Sequence, residues 1–209
     1  LVEKIELGKL QADDLGKLIP EIFISGIKRI AVQRQPDTRI HVVLNDGTTG
    51  ILVFDRVEEV KCWVTFQTEE GVGIVEDVFV IPSVEEDYVY YQVKRTVNGG
   101  VVRYLEKFAF ESDCVGGTLN KQADSFIEYS GVSTTTITGL SHLEGKEVVV
   151  WADGVDLSPH DDDWAQTTYT VSSGSITLAT SVENAIIGLP YKGQYKTVKL
   201  AFASSDTAL

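Results

Sequence analysis

The chain has 209 residues, 43% of them hydrophobic, and a formal net charge of −13. A chain of this length buries enough apolar surface for one large or two small domains. The excess of acidic residues repels a phosphate backbone, which argues against tight binding to DNA or RNA. No apolar run approaches the roughly 20 residues that span a bilayer, so we expect no membrane span.

The cysteine and methionine content gives two further expectations about the chain. Cys62 and Cys114 lie far apart, without a CxxC or a clustered His/Cys spacing, which argues against a zinc site and a disulfide scaffold. Two buried free thiols are therefore expected. Methionine is missing even at position 1, so we expect this chain to be a piece of a longer polypeptide.

Residues 1–25 are predicted to form a short helical lead-in. Apolar residues recur there at helical spacing behind Asp13 and Asp14, which can cap a helix. Pro20 lies inside the pattern and predicts a short or broken helix. The apolar positions are Leu15, Leu18, Ile19 and Ile22.

From residue 26 to 115 the pattern changes to strands separated by turns every 8 to 12 positions. Asn98-Gly99 is typical of a type I′ hairpin turn, and Asp46-Gly47 is interpreted in the same way. The turns at 36–39 and 84–87 begin 48 positions apart (84 minus 36), close to the repeat length of propeller blades. The region is therefore predicted to be two tandem, propeller-like antiparallel meanders. The predicted strands are residues 29–35, 40–44, 50–55, 60–68, 74–82, 88–96 and 101–110.

A polar linker at 111–125 follows the meanders. A second β module is predicted at residues 116–209, and it includes residues 116–125 of the linker. Its strands are short, rich in Thr and Val, and separated by Gly turns, as in small β-sandwiches and barrels. The predicted fold class is all-β: antiparallel meanders forming a partial β-propeller, then a small β-sandwich or barrel module, with a short N-terminal helix. Its predicted strands are 134–140, 146–154, 167–180 with a hairpin across Ser172-Ser173-Gly174, and 183–191.

The densest polar cluster is the stretch PHDDDW at 159–164. Its histidine and three aspartates offer metal ligands, but adjacent residues point in different directions and no EF-hand spacing is present. A solvated acidic loop is the favoured interpretation, and no metal is predicted. The cluster consists of His160, Asp161, Asp162 and Asp163.

Carboxylate pairs at 69–70, 76–77 and 85–86 have the residue types of a glycosidase acid and base. No GxSxG, HExxH or phosphate-binding glycine loop accompanies them, so neither an enzyme nor a cofactor is predicted. Aromatic residues could form a sugar-binding platform, but most lie in predicted strands and favour core packing. Trp164, in the acidic loop, is the expected exception.

A series of short motifs in the second module resembles the tail nozzle proteins of short-tailed bacteriophages, also called tail tubular protein B or tail stabilisation proteins. The upstream meanders are similar to the propeller segment of that family, and the resemblance covers about residues 11–200. The chain departs from the pattern by lacking upstream blades and by a longer insert at 159–166. The matching residues are Gly139-Leu140, His142-Leu143-Glu144-Gly145, Ala152-Asp153-Gly154, Gly174 to Leu178, and Gly188-Leu189-Pro190-Tyr191.

The resemblance implies a virion structural subunit without enzymatic activity. In that family, copies form a ring, a hexamer, below the portal and adaptor proteins, and DNA leaves the virion through it without tight binding. On this interpretation, the His142–Gly145 turn is scaffolding: Leu143 enters the core, and His142 or Glu144 satisfies backbone groups. We expect the isolated chain to be a monomer or a weak oligomer.

Two other functional classes remain open: a carbohydrate- or receptor-binding β module, and a hydrolase. The acidic residues suggest one further hypothesis, because residues 68–93 and 151–170 contain no Lys or Arg. If either stretch lines a DNA conduit, its charge keeps passing DNA from sticking; solubility is the simpler explanation. The first stretch contains Glu69, Glu70, Glu76, Asp77, Glu85, Glu86 and Asp87, and the second Asp153, Asp156, Asp161, Asp162 and Asp163.

Overall fold

The computed structural model describes residues 2–6, 9–17, 19–55 and 57–195, with side chains for residues 14–17, 19–55, 57–69 and 71–195. It is an all-β chain of antiparallel sheets with almost no helix, which confirms the predicted fold class. No closed barrel is found among the described strands.

The N-terminal segment differs from the predicted helix. Strands β1 (Val2–Glu6) and β2 (Lys9–Asp13) form an antiparallel hairpin, and one turn of 3-10 helix follows at Pro20–Phe23. Pro20 begins that turn, where its missing N–H costs nothing, and Gly26 follows it with a φ of +82°. The predicted helical position Leu18 lies outside the described residues.

The first meander is a four-stranded sheet in sequential order. It contains β3 (Ile27–Gln33), β4 (Arg39–Leu44), β5 (Thr49–Asp55) and β6 (Val60–Phe66). The N-terminal turn covers one face, where Phe23 packs edge-to-face on Trp63 at 5.0 Å between ring centroids. The indole of Trp63 donates to the Leu15 carbonyl at 3.0 Å.

The second meander has three strands, β7 (Ile74–Ile81), β8 (Tyr88–Val97) and β9 (Gly100–Lys107). Its inner face packs on the other face of the first meander, through a core that includes Val43, Val75 and Tyr91. The two sheets therefore share one core. Their face-to-face packing is compatible with neighbouring propeller blades, and the partial propeller stays a prediction.

The predicted hairpin turn at Asn98-Gly99 is confirmed. Both residues have positive φ, +51° and +76°, and Val97 pairs with Gly100 across the turn. Asp46-Gly47 is different, because only Gly47 has a positive φ and Leu44 accepts the Gly47 N–H in a longer loop. The type I′ interpretation was therefore wrong at this second site.

The C-terminal module is built on a long ribbon of two antiparallel strands, β10 (Asp124–Thr138) and β14 (Ser175–Leu189). Strand β11 (Glu147–Ala152) pairs with β14, while the short strands β12 (Val155–Asp156) and β13 (Tyr169–Thr170) pair with β11. Ile137 and Ile187, from opposite halves of the ribbon, belong to one buried cluster. The ribbon therefore bends over a single core.

Candidate functional site at the junction of the two modules

Arg95 lies at the centre of the junction between the meanders and the C-terminal module. It comes from β8 on the inner face, and its side chain is only 1% exposed. The guanidinium donates to Glu106 at 2.7 and 2.9 Å, to Asp124 at 3.0 Å and to Glu69 at 3.3 Å. It therefore binds three carboxylates from three separate parts of the chain.

Further bonds extend this Arg95 cluster into both modules. Lys146, before β11, pairs with Glu69. Asp124, at the start of β10, also accepts the Thr68 hydroxyl at 2.8 Å and the Glu69 N–H at 2.7 Å. Two cations therefore face three carboxylates, and every one of these groups has a partner.

Electrostatics keep the Arg95 guanidinium charged. Burial alone would lower the pKa of Arg95, but the hydrogen bonds and charges of Glu106 and Asp124 raise it above its ordinary value. Removing one partner from such a buried group leaves the others uncompensated. The cluster therefore joins the two modules through a buried set of paired charges.

An open groove of about 1550 Å³ runs along the junction. Apolar and aromatic side chains from both modules line it, among them Phe66, Tyr104, Phe108 and Phe126. Tyr191, the last residue of the Gly188–Tyr191 motif, lies at the same groove and is 54% exposed.

A second buried polar group lies between the two meanders. His41 is fully buried; Tyr91 donates its hydroxyl to Nδ1 at 2.6 Å, and Nε2 donates to Gln33 at 3.0 Å. Burial, with a smaller effect from the charge of Arg39, lowers the pKa of His41 to about 4. A neutral histidine that uses both ring nitrogens inside the core serves packing rather than proton transfer.

The His142–Gly145 turn has the roles that scaffolding requires. Leu143 is 1% exposed in the core, and Gly145 has a φ of +73°. The ring of His142 bonds through Nε2 to the Ser125 carbonyl at 3.0 Å. The carboxylate of Glu144 accepts the N–H groups of Ser173 and Gly174 at 2.8 and 2.7 Å. Both polar side chains therefore satisfy backbone groups, as expected.

The remaining motif residues form a turn and a close contact. Asp153-Gly154 makes the tight β11–β12 turn with positive φ at both residues, next to the buried Ala152. The Asp153 carboxylate accepts the Glu183 and Asn184 N–H groups at 3.0 and 2.9 Å. Gly188 lies against residues 123–126, Leu189 is the last residue of β14, and Pro190 follows it.

Several carboxylates of the first acidic stretch are held in tertiary contacts, and the position of Glu69 does not fit the hypothesis that it faces a lumen. Glu69 is 10% exposed and belongs to the Arg95 cluster, while the Glu70 side chain lies outside the described residues.

Asp87 is 4% exposed and accepts three backbone N–H groups. Glu76 and Asp77 pair with arginines, and Glu86 accepts the Glu111 N–H. Tertiary pairing, invisible in a local charge pattern, accounts for these carboxylates.

The second stretch includes an ordered exposed loop at residues 159–167. The Asp161 carboxylate accepts the N–H groups of Asp163 and Ala165 at 2.9 and 2.8 Å, and Thr167 donates to the Pro159 carbonyl at 3.0 Å. Trp164 is 82% exposed, as expected for an aromatic residue in the acidic loop. Asp162 and Asp163 point into solvent beside it.

Within the described residues, no group of three or more His, Cys, Asp or Glu side chains is arranged to hold a metal ion. Both cysteines are free, but Cys62 is exposed and Cys114 half-buried, so the expectation of two buried thiols was wrong. Cys62 lies on edge strand β6, most of which is open to solvent.

Comparison with protein-family models and with curated proteins finds no match for this chain. Among the described residues, no helix is long and apolar enough to cross a membrane. The functional conclusion therefore depends on the geometry of the chain and on the motif resemblance.

Proposed function

We propose that the chain is a structural component of a bacteriophage tail, a subunit of the nozzle ring through which DNA leaves the virion. One observation carries this proposal: most of the motif residues that resemble the nozzle family form turns, lie in the core or bind backbone groups. The side chains of His142 and Glu144 both bind backbone groups, and this supports an architectural role for the motif.

The Arg95 cluster supports the same function. A conduit subunit has to hold its modules in a fixed relation, and a buried arginine between three carboxylates provides such a joint. The net charge of −13 also suits a surface that DNA passes without binding. In this proposal the partners are further copies of the chain, the portal and adaptor proteins, and passing DNA.

The test is deletion of the coding sequence from the encoding phage, with complementation from a plasmid. We expect particles whose heads package DNA but whose tails are incomplete and non-infectious, with infectivity restored by the intact gene. Complete, infectious particles without this chain would contradict the proposal.

A second candidate function is a carbohydrate- or receptor-binding module, and the 82% exposure of Trp164 favours it. A glycan array separates the two candidates. Specific binding that is lost in Trp164→Ala would support recognition of sugars, whereas an array without specific signal leaves the nozzle function.

A further inference from the structure

The outer face of the β7–β9 sheet, turned away from the first meander, carries an apolar patch. Directly opposed residues of antiparallel strands share a face, and the register places Phe79 beside Tyr90 and Ile81 beside Tyr88. The rings of Phe79 and Tyr90 stack at 5.2 Å with an interplanar angle of 15°. Phe79, Ile81 and Leu105 are 42, 47 and 60% exposed. A contiguous exposed group of this kind is a candidate interaction surface.

Basic side chains border this outer patch. Lys107 is paired in register with Tyr90, and its ammonium lies 4.6 Å from the Tyr88 ring centroid and 4.2 Å from that of Phe110. Lys94 and Arg103 oppose each other on the same face, with Arg103 bound to Glu76. The patch is therefore an aromatic surface bordered by Lys94 and Lys107, with the nearby Glu76 and Asp77 held by Arg103 and Arg29, on a chain whose net charge is −13.

The acidic loop at 159–167 has the complementary chemistry. It presents Trp164 with 82% exposure, next to the exposed carboxylates of Asp162 and Asp163. An exposed tryptophan is a frequent anchor residue in protein interfaces. Because Trp164 and the outer patch are both open to solvent, they do not cover each other within one chain.

We infer that the Trp164 loop of one copy binds the outer patch of a second copy. Trp164 would stack against Phe79, Tyr90 and Leu105, while Asp162 and Asp163 meet Lys107 and Lys94. The two surfaces differ, so the contact is head-to-tail, which is the type that closes into a ring or extends into a filament. This contact deepens and rests on the ring function proposed above, and it places Asp162 and Asp163 between copies rather than in a lumen.

The contact is expected to be weak for two isolated copies. One tryptophan buries about 150–250 Å², whereas stable interfaces bury about 1,200 Å² or more. Sedimentation equilibrium up to about 1 mM chain covers dissociation constants of this weak class. We expect concentration-dependent association, with a dissociation constant raised about tenfold or more in Trp164→Ala. Tyr195→Ala, which removes a 91% exposed aromatic elsewhere, is the matched control and should change nothing.

A mixing experiment tests the head-to-tail geometry. Trp164→Ala lacks the loop anchor but keeps the patch, whereas Leu105→Glu disrupts the patch but keeps the loop. Each variant alone should be monomeric, and an equimolar mixture should form dimers that grow no further. Val84→Glu, at a residue 90% exposed outside the patch, controls for the added charge.

Two results would overturn the inference. One is a wild-type chain that stays monomeric across the whole concentration range. The other is association that persists in Trp164→Ala and Leu105→Glu, with their thermal unfolding unchanged from the wild type. Association is measured on the purified chain and the tail function on phage particles, so either proposal can fail without the other.

Discussion

At the scale of single residues, Glu144 shows how one side chain holds a turn. Its carboxylate accepts two backbone N–H groups, from Ser173 and Gly174. We expect Glu144→Ala to lower the free energy of unfolding by about 1–3 kcal/mol, because the N–H of the buried Gly174 loses its partner. Urea denaturation measures this, with Glu147→Ala at an exposed strand position as the control. Equal, near-zero effects of the two changes would contradict this role.

His41 predicts a specific pH dependence. Its native pKa of about 4 lies below the ordinary value of 6.5, so the unfolded chain binds more protons between these two pH values. Stability is therefore complete above about pH 6.5 and falls by about 1.4 kcal/mol per pH unit down to pH 4. Urea denaturation at several pH values should show a flatter dependence in His41→Gln than in the wild type.

The exposed His160 provides the control for that experiment. His160→Gln makes the same substitution at an exposed histidine outside the core. If the unfolding free energies of His41→Gln and His160→Gln change with pH at the same slope, the buried His41 is not the source of the pH dependence.

The role of a residue could be predicted from the sequence only where it follows from neighbouring residues in the chain. The turn sequence at 142–145 was enough to expect a buried Leu143 and polar side chains that bind backbone groups. The partners of Glu69 were not predictable, because Arg95 and Lys146 lie 26 and 77 positions away in the sequence. Such pairing depends on how the two modules meet, which no local pattern contains.

At the scale of elements, Gly188 fixes how closely β14 approaches the start of β10. A Cβ at this position would lie 2.8 Å from the Ala123 Cβ and 2.8 Å from the Asp124 carbonyl oxygen. We expect Gly188→Ala to destabilise the fold by about 1–3 kcal/mol through overpacking. Gly193→Ala is the matched control, since nothing lies within 4 Å of its added Cβ. Equal unfolding free energies for the two variants would show that β14 shifts freely.

The strands of the meanders were largely predictable, because alternating apolar residues and turn residues mark each one. The ribbon of the C-terminal module was not. Sequence predicted separate strands at 167–180 and 183–191, but β14 runs without a break from 175 to 189. The residues between 180 and 183, which were predicted to separate two strands, lie inside β14, where register shifts against β10 accommodate the irregular sequence. Strand β10 likewise begins inside the predicted linker, where its polar residues meet the Arg95 cluster.

At the scale of the whole molecule, the Arg95 cluster is expected to make the two modules unfold together. Arg95→Met leaves Glu69, Glu106 and Asp124 facing one another, which should cost about 3–5 kcal/mol. Calorimetry should then show two transitions in place of one. Arg103→Met, which removes an exposed pair on the other face of the same sheet, should cost less than about 1 kcal/mol. A single unshifted transition in Arg95→Met would mean that the cluster does not couple the modules.

The proposed nozzle function is tested most directly by electron cryomicroscopy of phage particles whose genome carries the coding sequence of this chain. We expect a ring of copies in the tail tube below the portal, with the two packed meanders and the bent β10–β14 ribbon recognisable in each subunit. A tail tube without this chain, or density for it only in a peripheral fibre that contacts the host, would contradict the proposed function.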